Sequence, residues 1–409
     1  MGHVISLTCK ECGRAYDVSA IYVCEFCFAP LEPTYDLTRV RETISRASIE
    51  AGPRSLWRYI GLLPVADDAE RIDIGAGFTP LVRSDRLARA LGIEELYLKN
   101  DTANPTHSFK DRVVSVALSV AKSMGFDTVA CASTGNLANA VAAHAAKAGF
   151  TSYVFIPHDL ENAKVLTTAV YGGHVISVKG NYDDVNRLCS EIAQNSDWAF
   201  VNVNLRPFYS EGSKTIGFEI AEQLGWKAPD HVVVPVASGS LLTKVKKSFE
   251  QFHQVALIDV PHTRFYAAQA DGCSPVASAV LSGAKHVRPV KPETIAKSLA
   301  IGNPADGDYA VGAVNESQGW AAAVSDHEIV EGIKLLAETE GIFTETAGGV
   351  TIASLKRLAE QGRFASGGSV VALITGMGLK TADVLEDRLR RPIEIVADLQ
   401  VFEEELRLL

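Results

Sequence analysis

No stretch of this chain approaches the ~18 uninterrupted apolar residues that a membrane-spanning helix requires. Nor do the first thirty residues show an apolar segment behind a basic start, the mark of a secretory leader. Both absences point to a cytoplasmic protein. Positive charge is also in short supply: 39 Lys and Arg stand against 49 Asp and Glu, a formal net charge of −10, and no local basic patch offsets it. A polyanion or an anionic membrane would be repelled, so neither nucleic acid nor a membrane is an expected partner. Internal repeats and low-complexity tracts are missing as well, which argues against solenoids and disordered arrays.

Cysteine is sparse, seven in 409 residues, yet Cys9, Cys12, Cys24 and Cys27 fall in one N-terminal segment as two C-x-x-C pairs eleven residues apart. In a reducing compartment such a cluster reads as metal binding before it reads as disulfides. Tetrahedral Zn²⁺ takes four thiolates, and each C-x-x-C turn presents two from one knuckle, so residues 1–36 read as a zinc ribbon. A closed four-thiolate site leaves no position for water, so its expected role is stability or partner contact and not catalysis. Cys131 and Cys189 lie in apolar patterns that suit small core residues.

The length suggests two or three domains. Residues 37–75 read as a helical and irregular connector packing on the main body. Beyond it the chain repeats one theme, a β-branched run, a Gly or Ser turn and an amphipathic segment, with runs at 127–132, 151–157, 174–178, 198–203, 231–236 and 369–375. Strands apolar throughout that alternate with helices imply an α/β protein whose parallel sheets are covered on both faces. Ligands then bind where the carboxyl ends of the strands meet helix starts.

Several turns fit that place. In "NPTHSFKDR" (104–112), Ser108 is positioned to cap a helix whose first turn holds Lys110. The positive end of a helix dipole favours the neutral, nucleophilic form of such an amine, able to form a Schiff base, although a solvated surface lysine is the commoner outcome. Ser133, Thr134, Gly135 and Asn136 stand between a strand and a helix, where backbone N–H groups, two hydroxyls and an amide suit a carboxylate or form an ordinary capped turn. Ala237, Ser238, Gly239 and Ser240 repeat the form and suit a phosphate or a plain helix cap. Thr375 ends an apolar strand, its hydroxyl reaching a ligand ring or the backbone.

Taken together, "NPTHSFKDR", "STGN" (133–136), "EGSKT" (211–215), "SLAIGNP" (298–304), "ETAGGV" (345–350) and "TGMGLK" (375–380) resemble the pyridoxal-phosphate enzymes of the tryptophan-synthase β fold, and among them threonine synthases with an N-terminal zinc ribbon. The resemblance runs from Cys9 to about Lys380. It implies a two-domain, three-layer parallel-sheet fold behind a small zinc ribbon: a large cofactor-binding α/β domain from 76–100 and 200–390, a small α/β domain from 101–199, and a tail at 391–409. It implies pyridoxal 5′-phosphate held by Lys110, with Asn136 on its 3-hydroxyl, residues Ala237, Ser238, Gly239, Ser240 and Leu241 around its phosphate, and Thr375 facing its ring nitrogen. Ser133, Thr134, Gly135 and Asn136 would hold the substrate α-carboxylate. Structural Zn²⁺ on the four cysteines and a homodimer complete the expectation.

The reaction implied is conversion of O-phosphohomoserine and water to threonine and phosphate, with Lys110 moving the α-proton and assisting loss of the γ-phosphate. For the leaving phosphate the region 202–215 offers Asn204, Arg206, Ser213 and Lys214, with Arg206 as the bidentate contact. The chain departs from the family pattern at Ala237 and Ser238, where Gly and Asn are usual, at Leu137, where a threonine is common, and at Tyr209, where an arginine is expected. His107 replaces a common glycine and is a candidate substrate contact. Rival readings are a cysteate-synthase-like β-replacement on phosphoserine, a threonine or serine dehydratase, and a non-catalytic amino-acid sensor on the same fold.

Overall fold

The computed structural model describes residues 2–133, 135–158, 162–180, 182–364, 366–386, 388–389 and 392–407. Three strands, β1 (Val4–Cys9), β2 (Ala15–Tyr16) and β3 (Leu31–Tyr35), form an antiparallel N-terminal ribbon in the order β2-β1-β3. Then come β4 (Leu81–Arg83), β5 (Glu95–Asn100), β6 (Thr128–Ala132), β7 (Thr151–Pro157), β8 (His174–Val178), β9 (Ala199–Phe200), β10 (His231–Pro235), β11 (Arg264–Ala270), β12 (Trp320–Val324) and β13 (Ser369–Ile374). A four-stranded parallel sheet has the order β8-β7-β6-β9, and a six-stranded sheet has β12-β11-β10-β13-β5-β4 with only the β4–β5 pair antiparallel. Among the described residues no helix is long and apolar enough to cross a membrane.

Most of the apolar runs become strands because both faces of the sheet are buried there, the exception being the edge strand β8, which is largely exposed. In β10, Val232 and Val234 pack with Phe249 and Phe252 on one face, while Val233 packs with Tyr266 and Ile352 on the other. Each such valine contributes about 1.5–3 kcal/mol by leaving water. The smaller sheet is built the same way: Val129 and Cys131 meet Val113 and Val116 of the helix Lys110–Ser123, and Ala130 and Phe155 meet Val185 and Cys189. The run expected at 198–203 is a strand only at Ala199–Phe200. Asn204 ends it, its Oδ1 accepting from Phe200 N at 2.8 Å and its Nδ2 donating to Trp198 O at 3.0 Å, so the backbone turns away from the ladder. Strands β11 and β12 lie outside the expected runs because RFYAAQA and WAAAV are rich in alanine, a poor strand former placed here by its small size between close-packed helices.

The helix Lys110–Ser123 is tied to the six-stranded sheet by ions that are almost completely buried. Arg112 pairs with Asp101 at 2.7 Å and with Glu219, Lys99 pairs with Glu219 at 2.7 Å, and Arg112 Nη1 also donates to Thr215 Oγ1 at 3.0 Å. Glu219 further accepts from Phe78 N at 2.6 Å and Thr79 N at 3.1 Å. Two cations and two carboxylates balance, and their hydrogen-bonding capacity is met, which is the condition under which buried charge is tolerated. Burial alone would push the Glu219 carboxyl up, but Arg112 and Lys99 outweigh it and hold its pKa at about 2.

Replacing Glu219 with Gln leaves Arg112 and Lys99 under-compensated and should cost about 3–5 kcal/mol in urea or guanidinium unfolding. Because the folded pKa lies below the ordinary 4.5, the carboxylate's contribution is complete above about pH 4.5 and is lost as pH falls towards 2. The Glu219→Gln protein should therefore lose less stability across that interval than the parent; equal acid sensitivity would contradict the assignment.

Candidate active site

A cavity of about 430 Å³ lies at the carboxyl ends of β6, β10 and β13, where Ser133, Ala237 and Thr375 all line it. The amine of Lys110 enters it, donating to Tyr209 Oη at 2.8 Å and lying 4.5 Å from the centre of the Phe109 ring. The helix starts at Lys110 itself with Phe109 in the cap position. Ser108 does not cap it: its hydroxyl is buried without a hydrogen-bond partner. Order comes instead from Asp111, whose carboxylate accepts from Thr106 N at 2.7 Å and Thr106 Oγ1 at 2.8 Å. The segment before Lys110 is then zipped to the end of β13, with Phe109 N donating to Thr375 O at 3.0 Å and Met377 N to His107 O at 3.0 Å.

Asn136 opens the helix Asn136–Ala148 and sits between two charged groups. Its Nδ2 donates to both oxygens of Glu345 at 2.9 Å, and its Oδ1 accepts from Lys380 Nζ at 2.8 Å. A lysine only donates and a carboxylate only accepts, so the amide has one possible orientation. Lys380 also donates to Thr106 O at 2.5 Å, and burial lowers its pKa against the attraction of Glu345 and Asp111. Lys380, Glu345 and Tyr209 all line the cavity, yet no role was expected of them; the motifs that contain or adjoin them were the available signal.

Ser133 and Gly135 line the same cavity as Asn136, while Thr134 lies outside the described residues. Ser133 Oγ accepts from Gly135 N at 3.2 Å and Ala138 N at 3.1 Å, which leaves its hydroxyl proton to donate outward. The turn Ala237, Ser238, Gly239, Ser240 and Leu241 forms another part of the wall, ahead of the helix Ser240–Gln254, which has no side-chain cap. Gly239 has φ +94°, and a Cβ there would stand 2.5 Å from Asp306 O, so conformation and space both require glycine. Thr375 is buried on the wall, and Thr381 is half-buried there, its Oγ1 shielded and without a hydrogen-bond partner.

Of the four residues expected around a leaving phosphate, only Ser213 lines the cavity. Asn204 is consumed in ending β9. Arg206 pairs with Asp306 at 2.7 Å. Lys214 is fully buried, donating to Leu62 O at 2.7 Å and Gln251 Oε1 at 2.9 Å and pairing with Glu211 at 2.5 Å; burial takes its pKa down to about 7 despite that carboxylate. His107 is exposed outside the cavity wall, with φ +61° and its Nδ1 3.4 Å from Thr102 O. The backbone there is left-handed, which accounts for the glycine expected at that position. Leu137 lines the cavity and is buried.

At the other end of the chain, Cys9, Cys12, Cys24 and Cys27 bring their sulfurs within 4.8 Å of one another, a donor set that fits a tetrahedral four-thiolate metal site.

Comparison with known proteins agrees with this arrangement. The family model described as pyridoxal-phosphate dependent enzyme matches residues 72–376, and a second model, NinF protein, matches residues 8–32, the four-cysteine segment. The chain is 40% identical over 403 residues to the threonine synthase of Methanocaldococcus jannaschii, covering 98% of each chain, and 37% identical over 402 residues to that of Methanosarcina acetivorans, covering 97% of this chain and 98% of the relative. Among solved structures, the processed form of threonine deaminase isoform 2 from Solanum lycopersicum superposes with a TM-score of 0.65 at 21% identity, covering 94% of this chain and 92% of that one, and maize serine racemase with 0.64 at 20%, covering 86% and 96%. These structural likenesses establish the fold, that of the tryptophan-synthase β type with parallel α/β sheets. From the extent of the family match and the near full-length identity, the chain belongs to the pyridoxal-phosphate-dependent enzymes and, within them, to the threonine synthase family.

Proposed function

We propose that this protein is a pyridoxal-phosphate-dependent threonine synthase, converting O-phosphohomoserine and water to threonine and phosphate. The observation that carries the reading is the Lys110 amine in one cavity with the Ala237–Leu241 turn, in a chain similar to threonine synthases along nearly its whole length. The residues fit the cofactor. Lys110 would supply the amine for its aldehyde, the turn at Gly239 leaves room and backbone donors for its phosphate, and Thr375 and Asn136 would meet its ring, Asn136 giving up one of its bonds to Glu345 to do so. When bound, the group supplies an electron sink for carbanions at the substrate's α- and β-carbons.

The protein's part is positioning and proton transfer. Tyr209 Oη, 2.8 Å from Lys110 Nζ, orients the amine, which once free takes the α-proton and delivers a proton further along the substrate chain. Ser133 donates its hydroxyl proton to the α-carboxylate, beside the N–H groups that start the helix at Asn136. With Arg206 and Lys214 committed elsewhere, Ser213 and Lys297 are assigned to the leaving phosphate; Lys297 lines the cavity and is exposed. We assign the large body to residues 76–100 and 200–390 and the lysine-bearing body to 101–199. We also assign a homodimer in the cytoplasm; the acidic composition supports the lack of nucleic-acid or membrane partners.

A second reading, β-replacement on O-phosphoserine, is favoured by one observation: Leu137 and Tyr209 line the cavity where a threonine and an arginine were expected for the γ-phosphate. A shorter phosphoester would ask less of those positions.

Incubation with O-phosphohomoserine should release phosphate and threonine in equal amounts, and O-phosphoserine should be the poorer substrate; the reverse preference would replace the first reading with the second. Lys110→Ala should lower turnover by about 10²–10⁴-fold and abolish the borohydride-sensitive visible absorption of the loaded enzyme, and retention of both would refute the lysine's role. His107→Gly should leave turnover within about twofold while relieving up to about 1 kcal/mol of left-handed strain; a larger loss of turnover would return the imidazole to the substrate. Elemental analysis should find about one zinc per chain, lost together in a variant with Cys9 and Cys12 both changed to Ser.

A further inference from the structure

The four-cysteine ribbon sits against the active-site body through its charged residues, and one contact leads directly to the proposed phosphate turn. Lys10, between Cys9 and Cys12 in the first knuckle, extends its ammonium to Asp306 Oδ1 at 3.4 Å and lies 3.5 Å from the centre of the Tyr309 ring. Glu11 of the same knuckle accepts from Tyr309 Oη at 2.6 Å. The second oxygen of Asp306 is held by Arg206 at 2.7 Å. Asp306 is thus clamped between two cations, and it is largely buried.

Its backbone is what touches the turn. Asp306 N donates to Ser238 O at 2.9 Å, and Asp306 O lies so close to Gly239 that a Cβ there would approach it to 2.5 Å. Asp306 also sits at the start of the helix Gly307–Glu316, which carries Tyr309, so the knuckle grips two successive points of the support behind Ser238 and Gly239.

We propose that Lys10 is a positioning residue for the cofactor's phosphate, and that the ribbon braces the Ser238–Gly239 turn through the Lys10–Asp306–Arg206 clamp. This rests on the reading of residues 237–241 as the phosphate turn. The clamp acts on backbone groups that meet the phosphate and not on those that meet the ring, so its loss weakens the phosphate-bearing cofactor selectively. Arg206, unavailable to the substrate, has its role here.

The test is a fluorescence titration of the full-length, zinc-loaded, cofactor-free protein with pyridoxal 5′-phosphate and, separately, with pyridoxal. In Lys10→Met the dissociation constant for pyridoxal 5′-phosphate should rise about tenfold, the loss of one partly buried charge-assisted contact, with pyridoxal affinity unchanged, one zinc retained and Lys10→Arg restoring most of the difference. Tyr309→Phe, which leaves the knuckle's sequence intact, should give a smaller shift in the same direction. If Lys10→Met retains zinc and binds pyridoxal 5′-phosphate as the parent does, while Gly239→Ala binds it poorly, the brace is wrong and the turn assignment stands. If Gly239→Ala also binds normally, or the parent does not distinguish the two ligands, the turn assignment falls and the brace with it. Equal weakening of both ligands with loss of zinc would likewise overturn the brace, showing general disruption.

Discussion

The arrangement turns on one buried set of charges, Arg112 with Asp101 and Glu219 and Glu219 with Lys99. The helix Lys110–Ser123 packs its apolar face on the four-stranded sheet, but two residues beyond its start Arg112 reaches Asp101 and Glu219 beside the six-stranded sheet. Asp101 follows β5 and Glu219 belongs to the helix Lys214–Gln223, so a single guanidinium fixes the beginning of one helix relative to a strand end and to another helix. Hydrophobic packing is non-directional and would tolerate small rotations of that helix; a planar fork bound on several sides does not. The position of the Lys110 amine at the cavity is a consequence.

Charge is used in the same way elsewhere. Lys244 joins Glu32 of the ribbon to Glu211, Tyr35 donates to Glu211 at 2.7 Å, and Lys214 completes the group, so the seam between ribbon and body is ionic and largely dry. Glu211 is held at about pKa 2, burial being outweighed by Lys214 and Lys244. The cations that a reading of the segment 202–215 placed around a substrate are therefore structural, and the charges that do line the cavity, Lys110, Lys297, Glu345 and Lys380, come from other segments.

That contrast marks what the sequence discloses. The strand runs at 231–236 and 369–375, the four cysteines and the turns at Lys110, Ser133 and Ser238 were legible because each is a local pattern: an apolar run, a fixed spacing, a small-residue turn at a strand end. The partners of Arg206 and Lys214 were not, since Asp306 and Leu62 are distant in the chain and only packing selects them. Strands β11 and β12 escaped for the related reason that alanine is fitted to a crowded sheet by its neighbours rather than by its own preference. Tyr209 was noticed as a departure, but its hydrogen bond to Lys110 appears only when the helix Arg206–Glu211 is placed beside the cavity.

Asn136 shows how narrow a position can become when its neighbours have fixed signs. Between a donor-only ammonium and an acceptor-only carboxylate, the amide satisfies both without adding charge, its two N–H groups meeting both carboxylate oxygens. Aspartate, equal in size, would set a second carboxylate against Glu345 in a poorly hydrated wall, and leucine would leave Lys380 without its amide acceptor, holding only Thr106 O. A change of this one residue to aspartate would thus do more than alter a contact: it would set like charges together where the helix start is now held at Glu345.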